Sequence, residues 1–293
     1  MTLFQGVGTA LITPFQNDKV DFAALQKLVD IQLQGGVSAL IVNGTTGEPT
    51  TMTHGERTAV AIAVIKQVNH KIPVILGAGS NNTYTAVEYA VEAQELGADG
   101  ILAVTPYYNK CTQAGLIAHY KALADATDIP IIMYNVPGRT GVNINPETVE
   151  MLAGYKKIIG IKEASGNIQQ FMDVARLVKG RMDIYSGDDG YVYPLLALGG
   201  KGVISVVSNI APRFMSDMVA KYFAGDTDAS LAMQFKLMPL VKALFSEVNP
   251  IPVKCAARIL GIIPDDYMRL PLTRFSKEDY LKAELRNFGL LND

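Results

Sequence analysis

The strongest constraint on the fold is an alternation that repeats along the whole first part of the chain. Short apolar, β-branched runs bounded by Gly, Pro, Asn or Asp are separated by stretches with helical spacing. Eight such runs are legible, near Thr9–Thr13, Ala39–Val42, Val74–Gly77, Ile101–Thr105, Ile131–Asn135, Ile158–Lys162, Ile184–Gly187 and Val203–Val206. Between the first two, Phe22, Leu25, Leu28, Val29 and Leu33 recur at helical spacing, as do Val60, Val64 and Val68 after the second. The phrases GGVSALIV, LGADGILAV and LGGKGVISV repeat one unit, in which glycine closes a helix and an apolar strand follows a short turn. Strand starts fall roughly 20 to 35 residues apart, the size of a βαβ unit. That leaves an open doubly wound sheet or a closed α/β barrel. The number of strands favours the (β/α)8 TIM barrel. The open sheet's nucleotide fingerprints, GxGxxG and GxxxxGK followed by Ser or Thr, are missing, the nearest pieces being Gly77-Ala78-Gly79 and Gly6-Val7-Gly8.

Local punctuation agrees. Thr53 and Glu56 have the spacing of a capping box ahead of a helix at Ala59–Val68, and Pro146 suits the first turn of a helix at Asn145–Leu152. After Ser208 only helical patterns follow, at Ala211–Phe223, Ala229–Phe245, Pro252–Leu260 and Lys277–Phe288. The expected organisation is a barrel over 1–224 and a carboxy-terminal helical region over 225–293 packed on it. With 49% hydrophobic and 18% charged positions among 293 residues, the chain can bury a full core, which excludes disorder. A balance of 26 basic against 28 acidic residues, with no basic cluster, argues against a nucleic-acid partner. No apolar run approaches the ~18 residues of a membrane span, and no basic residue precedes Lys19, so the positive region of a secretory signal is missing. A cytoplasmic protein with no membrane partner is expected. Cys111 and Cys255 are far apart and form no CxxC pair, so both are read as reduced packing residues.

In a barrel of this kind the chemistry sits at the carboxyl ends of the strands. Lys162 closes the apolar run Ile158-Ile159-Gly160-Ile161, where lost hydration makes its amine easier to deprotonate and so able to form a Schiff base with a carbonyl. The other reading is a strand-end lysine whose stem lies on apolar surface while its head reaches water. Tyr134, Tyr107 and Tyr108 fall on the same expected rim, as proton relays or as packing. In Asn43-Gly44-Thr45-Thr46-Gly47-Glu48, hydroxyls and unpaired N–H groups between glycines form a seat for a carboxylate, or a plain turn; Glu48 is read as a cap or an ion-pair partner. Arg139, in a loop stiffened by Pro137 and bent by Gly138, can grip a carboxylate or stay on the surface. Asp188-Asp189 would repel a phosphate, and His54, His70 and His119 lack metal-ligand spacing and are read as structural.

Taken in order, GTTGE, TPYYN, YNVPGRTG, IGIKEASGN, YSGDD, GVISVVSN and NPIPVK resemble the dihydrodipicolinate synthase family, within the pyruvate-dependent class I aldolase superfamily that includes N-acetylneuraminate lyase. The resemblance spans nearly the whole chain. It implies a (β/α)8 barrel with a helical carboxy-terminal region, and a lyase of lysine and diaminopimelate biosynthesis. The substrates would be pyruvate and L-aspartate 4-semialdehyde, condensed with no metal or organic cofactor. It also implies Lys162 as the Schiff-base lysine, and Thr45, Tyr134 and Tyr108 as a proton-relay triad in which the tyrosine reaches in from a neighbouring subunit. Thr46 would seat the pyruvate carboxylate, Arg139 would bind the carboxylate of the semialdehyde, and Gly187 and Ile204 would line the site with backbone groups. A homo-oligomer, a dimer of dimers, follows from the same resemblance.

The resemblance places an allosteric lysine pocket at Pro49, Thr50, His54, Arg57, Gly79, Asn81, Thr85 and Tyr107. Lysine-inhibited members carry a histidine and an acidic residue where this chain has Arg57 and Thr85, and a small polar residue where it has Pro49. An arginine facing an ammonium ligand, with the carboxylate gone, implies weak or absent feedback. Sister aldolases acting on N-acetylneuraminate or a 2-keto-3-deoxy sugar acid share the lysine and tyrosine. The second threonine of GTT and the arginine of GRT favour a short acid-aldehyde. From another class, a silent barrel that only binds a keto acid would have no use for the amine of Lys162.

Overall fold

The computed structural model describes residues 2–292. Its strands are β1 (Gly6–Ala10), β2 (Phe15–Gln16), β3 (Lys19–Val20), β4 (Ala39–Val42), β5 (Val74–Gly77), β6 (Gly100–Val104), β7 (Ile131–Asn135), β8 (Ile158–Glu163), β9 (Asp183–Ser186) and β10 (Gly202–Ser205). All except β2 and β3 belong to a closed barrel in the order β1-β10-β9-β8-β7-β6-β5-β4. Helices intervene between the barrel strands, so their apolar runs are covered on both faces: every residue of β4, β7 and β8 is buried. The chain comprises two compact units, one of Pro73–Ile204 with the amino-terminal residues through Gln5, the other of Gly6–Ile72 with Ser205 onward. Strands β5 to β9 lie in the first; β1 and β4 lie in the second with the last four helices, Pro212–Phe223, Thr227–Leu244, Ile251–Ile259 and Glu278–Phe288.

The repeated glycine phrases have a backbone cause. Gly36, Gly97 and Gly199 follow their helices at φ 76°, 82° and 90°, a left-handed conformation in which a side chain would be strained. The N–H of Gly36 bonds back to the carbonyls of Gln32 and Leu33, ending the helix Phe22–Gly35 and turning the chain into β4. The capping box is formed as expected, with Thr53 accepting from Glu56 N and Glu56 accepting from Thr53 N.

The first strand departs from expectation, running over Gly6–Ala10 rather than Thr9–Thr13. Leu11, Ile12 and Thr13 are buried, but Ile12 N donates to Asn209 Oδ1 and Thr13 Oγ1 donates to Gly47 O. Burial and β-branching mark these residues as interior without revealing that, past the bond from Leu11 N to Ile41 O, the backbone leaves the sheet. The hairpin β2–β3 was not expected; Asn17 and Asp18, both at positive φ, make its two-residue turn.

Candidate active site

In the first unit, Lys162 and Tyr134 are register partners one residue from the ends of β8 and β7, and Asn135 and Glu163 are the next pair. Alternation along a strand sends the two pairs to opposite faces. Lys162 is 5% exposed, and its Nζ lies 4.1 Å from the centroid of the Tyr134 ring. Burial drives the lysine pKa down to about 7, with the charge of Asp189 opposing the shift and that of Arg139 assisting it. The Tyr134 ring face also favours the ammonium, yet desolvation dominates. At neutral pH far more of the amine is therefore unprotonated than in an ordinary lysine. The surface reading of Lys162 is thereby set aside.

Gly187 acquires a specific reason. A Cβ there would stand 2.7 Å from Ala164 Cβ and 3.0 Å from Lys162 Cε, so only glycine leaves room for the lysine stem. Its N–H donates to Glu163 O. Ser186 and Asp188 bond to each other, and Asp188 Oδ1 accepts from Gly190 N, which sets a short turn and leaves Asp189 buried. The acidic pair was read as repelling phosphate; the charge of Asp189 also acts on Lys162. Ile204, in β10, is 1% exposed.

Arg139 lies in a helical turn, Pro137–Thr140, rather than a loop. Pro137 occupies its first turn and Gly141, at φ 72°, closes it. Tyr108 is 88% exposed at φ 73°, unusual for an aromatic residue, while Tyr107 is only half-buried. Gly79 packs against Val104, where a Cβ would meet the Val104 backbone N at 2.5 Å; Asn81 O accepts from Asn109 Nδ2, and Thr85 is half-buried on the helix Thr83–Glu95.

In the second unit, Thr45-Thr46-Gly47 forms a 3-10 turn directly after β4. Within it Gly47 N donates to Gly44 O and Glu48 N to Thr45 O. Thr46 is buried, and its Oγ1 accepts from Asn249 Nδ2 at 2.9 Å, which directs the hydroxyl proton elsewhere. Glu48, at φ 57°, pairs at 2.7 Å with Lys254, itself fully buried, and Lys254 also donates to Tyr267 O. Burial pushes the Glu48 carboxyl up and the Lys254 ammonium down, each against the attraction of the other. Phe15 has Lys254 Nζ and Arg269 Cζ each 4.5 Å from its ring centroid. Pro49 and Thr50 follow in a second short turn, and His54 and Arg57 lie on the helix His54–Val68. The segment NPIPVK thus fixes the GTTGE turn, a role invisible in the sequence because the partners are 203 and 206 residues apart.

Among the described residues no cluster of three or more His, Cys, Asp or Glu is placed to hold a metal ion. His119 is buried beside Thr83 Oγ1, and burial lowers its pKa to about 4, so it is neutral. Both cysteines are free, and no helix among the described residues is long and apolar enough to cross a membrane.

A closed α/β barrel with a buried lysine at the carboxyl end of a strand, its pKa lowered by desolvation, has the architecture and the amine that class I aldolase chemistry requires. The pattern of the dihydrodipicolinate synthetase family matches residues 3–286, and the chain belongs to that family. It is 50% identical to the 4-hydroxy-tetrahydrodipicolinate synthase of Thermotoga neapolitana, over 99% of this chain and 100% of that protein. The crystal structure of dihydrodipicolinate synthase from Thermotoga maritima superposes with a TM-score of 0.97 at 47% identity, covering 99% of this chain and 100% of that one. The chloride-inhibited dihydrodipicolinate synthase from Acinetobacter baumannii, complexed with pyruvate, gives 0.96 at 42% identity, again over 99% and 100%.

Proposed function

We propose that this chain condenses pyruvate with L-aspartate 4-semialdehyde to 4-hydroxy-tetrahydrodipicolinate, the lyase step of diaminopimelate and lysine biosynthesis. The observation that carries the reading is Lys162, an amine buried at a strand end with its pKa brought to about 7. Its neutral nitrogen adds to the keto carbon of pyruvate, water leaves, and the resulting iminium acidifies the methyl group. Loss of a methyl proton gives an enamine whose carbon attacks the aldehyde. The amine of the second substrate then adds to the iminium carbon, closing the ring and releasing Lys162.

Proton transfers in this scheme run through Tyr134, Thr45 and Tyr108, the last supplied by a second subunit. The exposure of Tyr108 and its left-handed backbone support a residue shaped to reach outward, and hence a homo-oligomer, a dimer of dimers in the family pattern. Thr46, its oxygen already accepting from Asn249, has a proton to donate to the pyruvate carboxylate. Arg139 binds the carboxylate of the semialdehyde, and the backbone at Gly187 and Ile204 lines the pocket. The iminium supplies the electron sink, so the scheme needs no metal or organic cofactor, and it suits a cytoplasmic enzyme. The division into a barrel over 1–224 and a helical region over 225–293 belongs to the same reading. So does the lysine pocket at Pro49, Thr50, His54, Arg57, Gly79, Asn81, Thr85 and Tyr107, disabled by Arg57 and Thr85.

The test is pyruvate consumption on addition of L-aspartate 4-semialdehyde, with Lys162→Ala as control, and mass analysis after borohydride reduction with pyruvate. Consumption by the native protein alone, with an adduct on Lys162, is expected. An active alanine variant would overturn the assignment.

A further inference from the structure

The outer face of β7 and β8, behind Tyr134 and Lys162, carries a buried polar cluster that the reaction scheme does not use. Every other residue of these two strands is apolar or glycine, so polarity is confined to two adjacent register pairs, Tyr134 with Lys162 and Asn135 with Glu163. Glu163 is 0% exposed, and its described partners are all neutral donors: Asn135 Nδ2 at 3.0 and 3.2 Å, Gln170 Nε2 at 2.9 Å and Ser165 N at 2.7 Å. A carboxylate in such a place is costly unless those donors hold their positions. An apolar residue would have filled the space more cheaply.

Asn135 bonds through both ends of its amide. Its Nδ2 donates to Asn143 Oδ1 at 2.9 Å as well as to Glu163, and its Oδ1 accepts from Ile144 N at 3.0 Å. Both ends of the segment 136–142, which carries Arg139, are thus fastened to one side chain. Gln170, on the helix Ile168–Val178, completes the cluster by donating to Asn143 Oδ1 at 3.1 Å and accepting from Asn143 Nδ2 at 2.8 Å. A fully satisfied network of this kind is rigid, and loss of one member strands several others.

We propose that Asn135 and Glu163 are positioning residues that fasten the Lys162 strand to the base of the Arg139 segment, so that one buried cluster sets both the nucleophile and the aldehyde-side guanidinium. The proposal rests on the reading above, in which Lys162 forms the imine and Arg139 binds the semialdehyde. Glu163 is the residue after Lys162 and Asn135 the residue after Tyr134, so a shift of either anchor moves the reacting side chain on the other face of its strand. A displacement of about 1 Å at a reacting group costs on the order of a hundredfold in rate.

The experiment compares Asn135→Ala, Glu163→Gln, Glu163→Asp and Gln170→Ala with the native enzyme. It measures kcat, both KM values, the rate of the borohydride-trapped pyruvate adduct, and Tm. Asn135→Ala is expected to raise the semialdehyde KM at least about fivefold and to lower kcat about tenfold. Glu163→Gln, keeping the shape but turning a donor toward donors, slows adduct formation about tenfold, and Glu163→Asp restores part of that loss. Should Asn135→Ala not fold, Gln170→Ala, outside both strands, carries the test with a smaller change of the same sign. Folded variants with lowered Tm but kcat, KM and adduct rate within about twofold of native would show the cluster to be structural only, and overturn the proposal. Failure of the native protein to trap pyruvate on Lys162 would instead overturn the reading beneath it.

Discussion

Replacing Lys162 by methionine keeps an unbranched apolar stem as far as Cε and removes the group that titrates. In the folded chain that group has its pKa lowered from 10.5 to about 7 by burial. A depressed pKa means that the folded state resists protonation, so the stability of the native protein is full above pH 10.5 and is lost progressively as pH falls through 7. The unfolded state binds the extra proton throughout that window, and linkage gives a loss of ~1.4 kcal/mol per pH unit there. Integrated, the handicap of carrying Lys162 amounts to ~4 kcal/mol at pH 7 and ~2 kcal/mol at pH 9, upper bounds since water can reach a strained site. The methionine variant is therefore expected to be the more stable protein at pH 7, with its advantage shrinking by ~2 kcal/mol by pH 9. Urea unfolding of both proteins at equal concentration, at half-unit pH steps, measures the difference and cancels all other titrating groups. The variant should also form no borohydride-stable pyruvate adduct. A stability difference that stays flat from pH 7 to 9 would refute the reasoning, because the amine would then titrate as an ordinary surface lysine.

The charges around Lys162 predict opposite shifts. Asp189→Asn removes the attraction that holds the lysine pKa up, and should move the acidic limb of the kcat/KM profile to lower pH; Arg139→Gln removes a repulsion and should move it higher while raising the semialdehyde KM. Shifts of the same sign in both variants would contradict this electrostatic account. Lys254→Met leaves Glu48 buried without its cation and is expected to cost about 3–5 kcal/mol in unfolding experiments, whereas adding Glu48→Gln to the same protein should recover most of that loss. A double variant as unstable as the single one would show that the pair is not the unit of stability. L-lysine, titrated into the assay, should leave turnover unchanged at submillimolar concentration if the proposed pocket presents the cation of Arg57, and no carboxylate at Thr85, to an ammonium ligand; saturable inhibition in that range would be the contrary result.

What the sequence reveals here is what depends on neighbours in the chain. The strands β4, β5 and β7 fall at the expected residues, and the helix-ending glycines do so because a left-handed backbone is a local requirement. The first strand ends early because, past the bond from Leu11 N to Ile41 O, Ile12 and Thr13 turn to Asn209 and Gly47. No pattern in Leu-Ile-Thr distinguishes a ladder hydrogen bond from one to a distant asparagine. Arg139 was placed correctly after its strand, but its helical turn follows from Pro137 and Gly141 acting together, whereas each alone is equally a loop signal. Lys162 was legible as the end of an apolar run. Its environment was not, since Arg139 reaches it from one other segment and Gly187 and Asp189 from another.

The two faces of β8 divide the work in a way that follows from strand alternation. One face holds an amine whose neutrality depends on being dry, so polar groups near it must be few, and those that act on it, Asp189 and Arg139, have opposite charges and partly cancel. Desolvation is then left as the dominant influence, which makes the lysine pKa depend on packing more than on any single partner. Gly187 belongs to that packing, because a methyl group there would push the lysine stem out of place. The other face bears the hydrogen-bonding burden, with Glu163 and Asn135 anchored by Gln170 and Asn143 where they add no donor beside the amine. An anchor of the same polarity on the inner face would hydrate or pair with Lys162 and raise its pKa. Placing it one residue further along the strand gives rigidity without that cost.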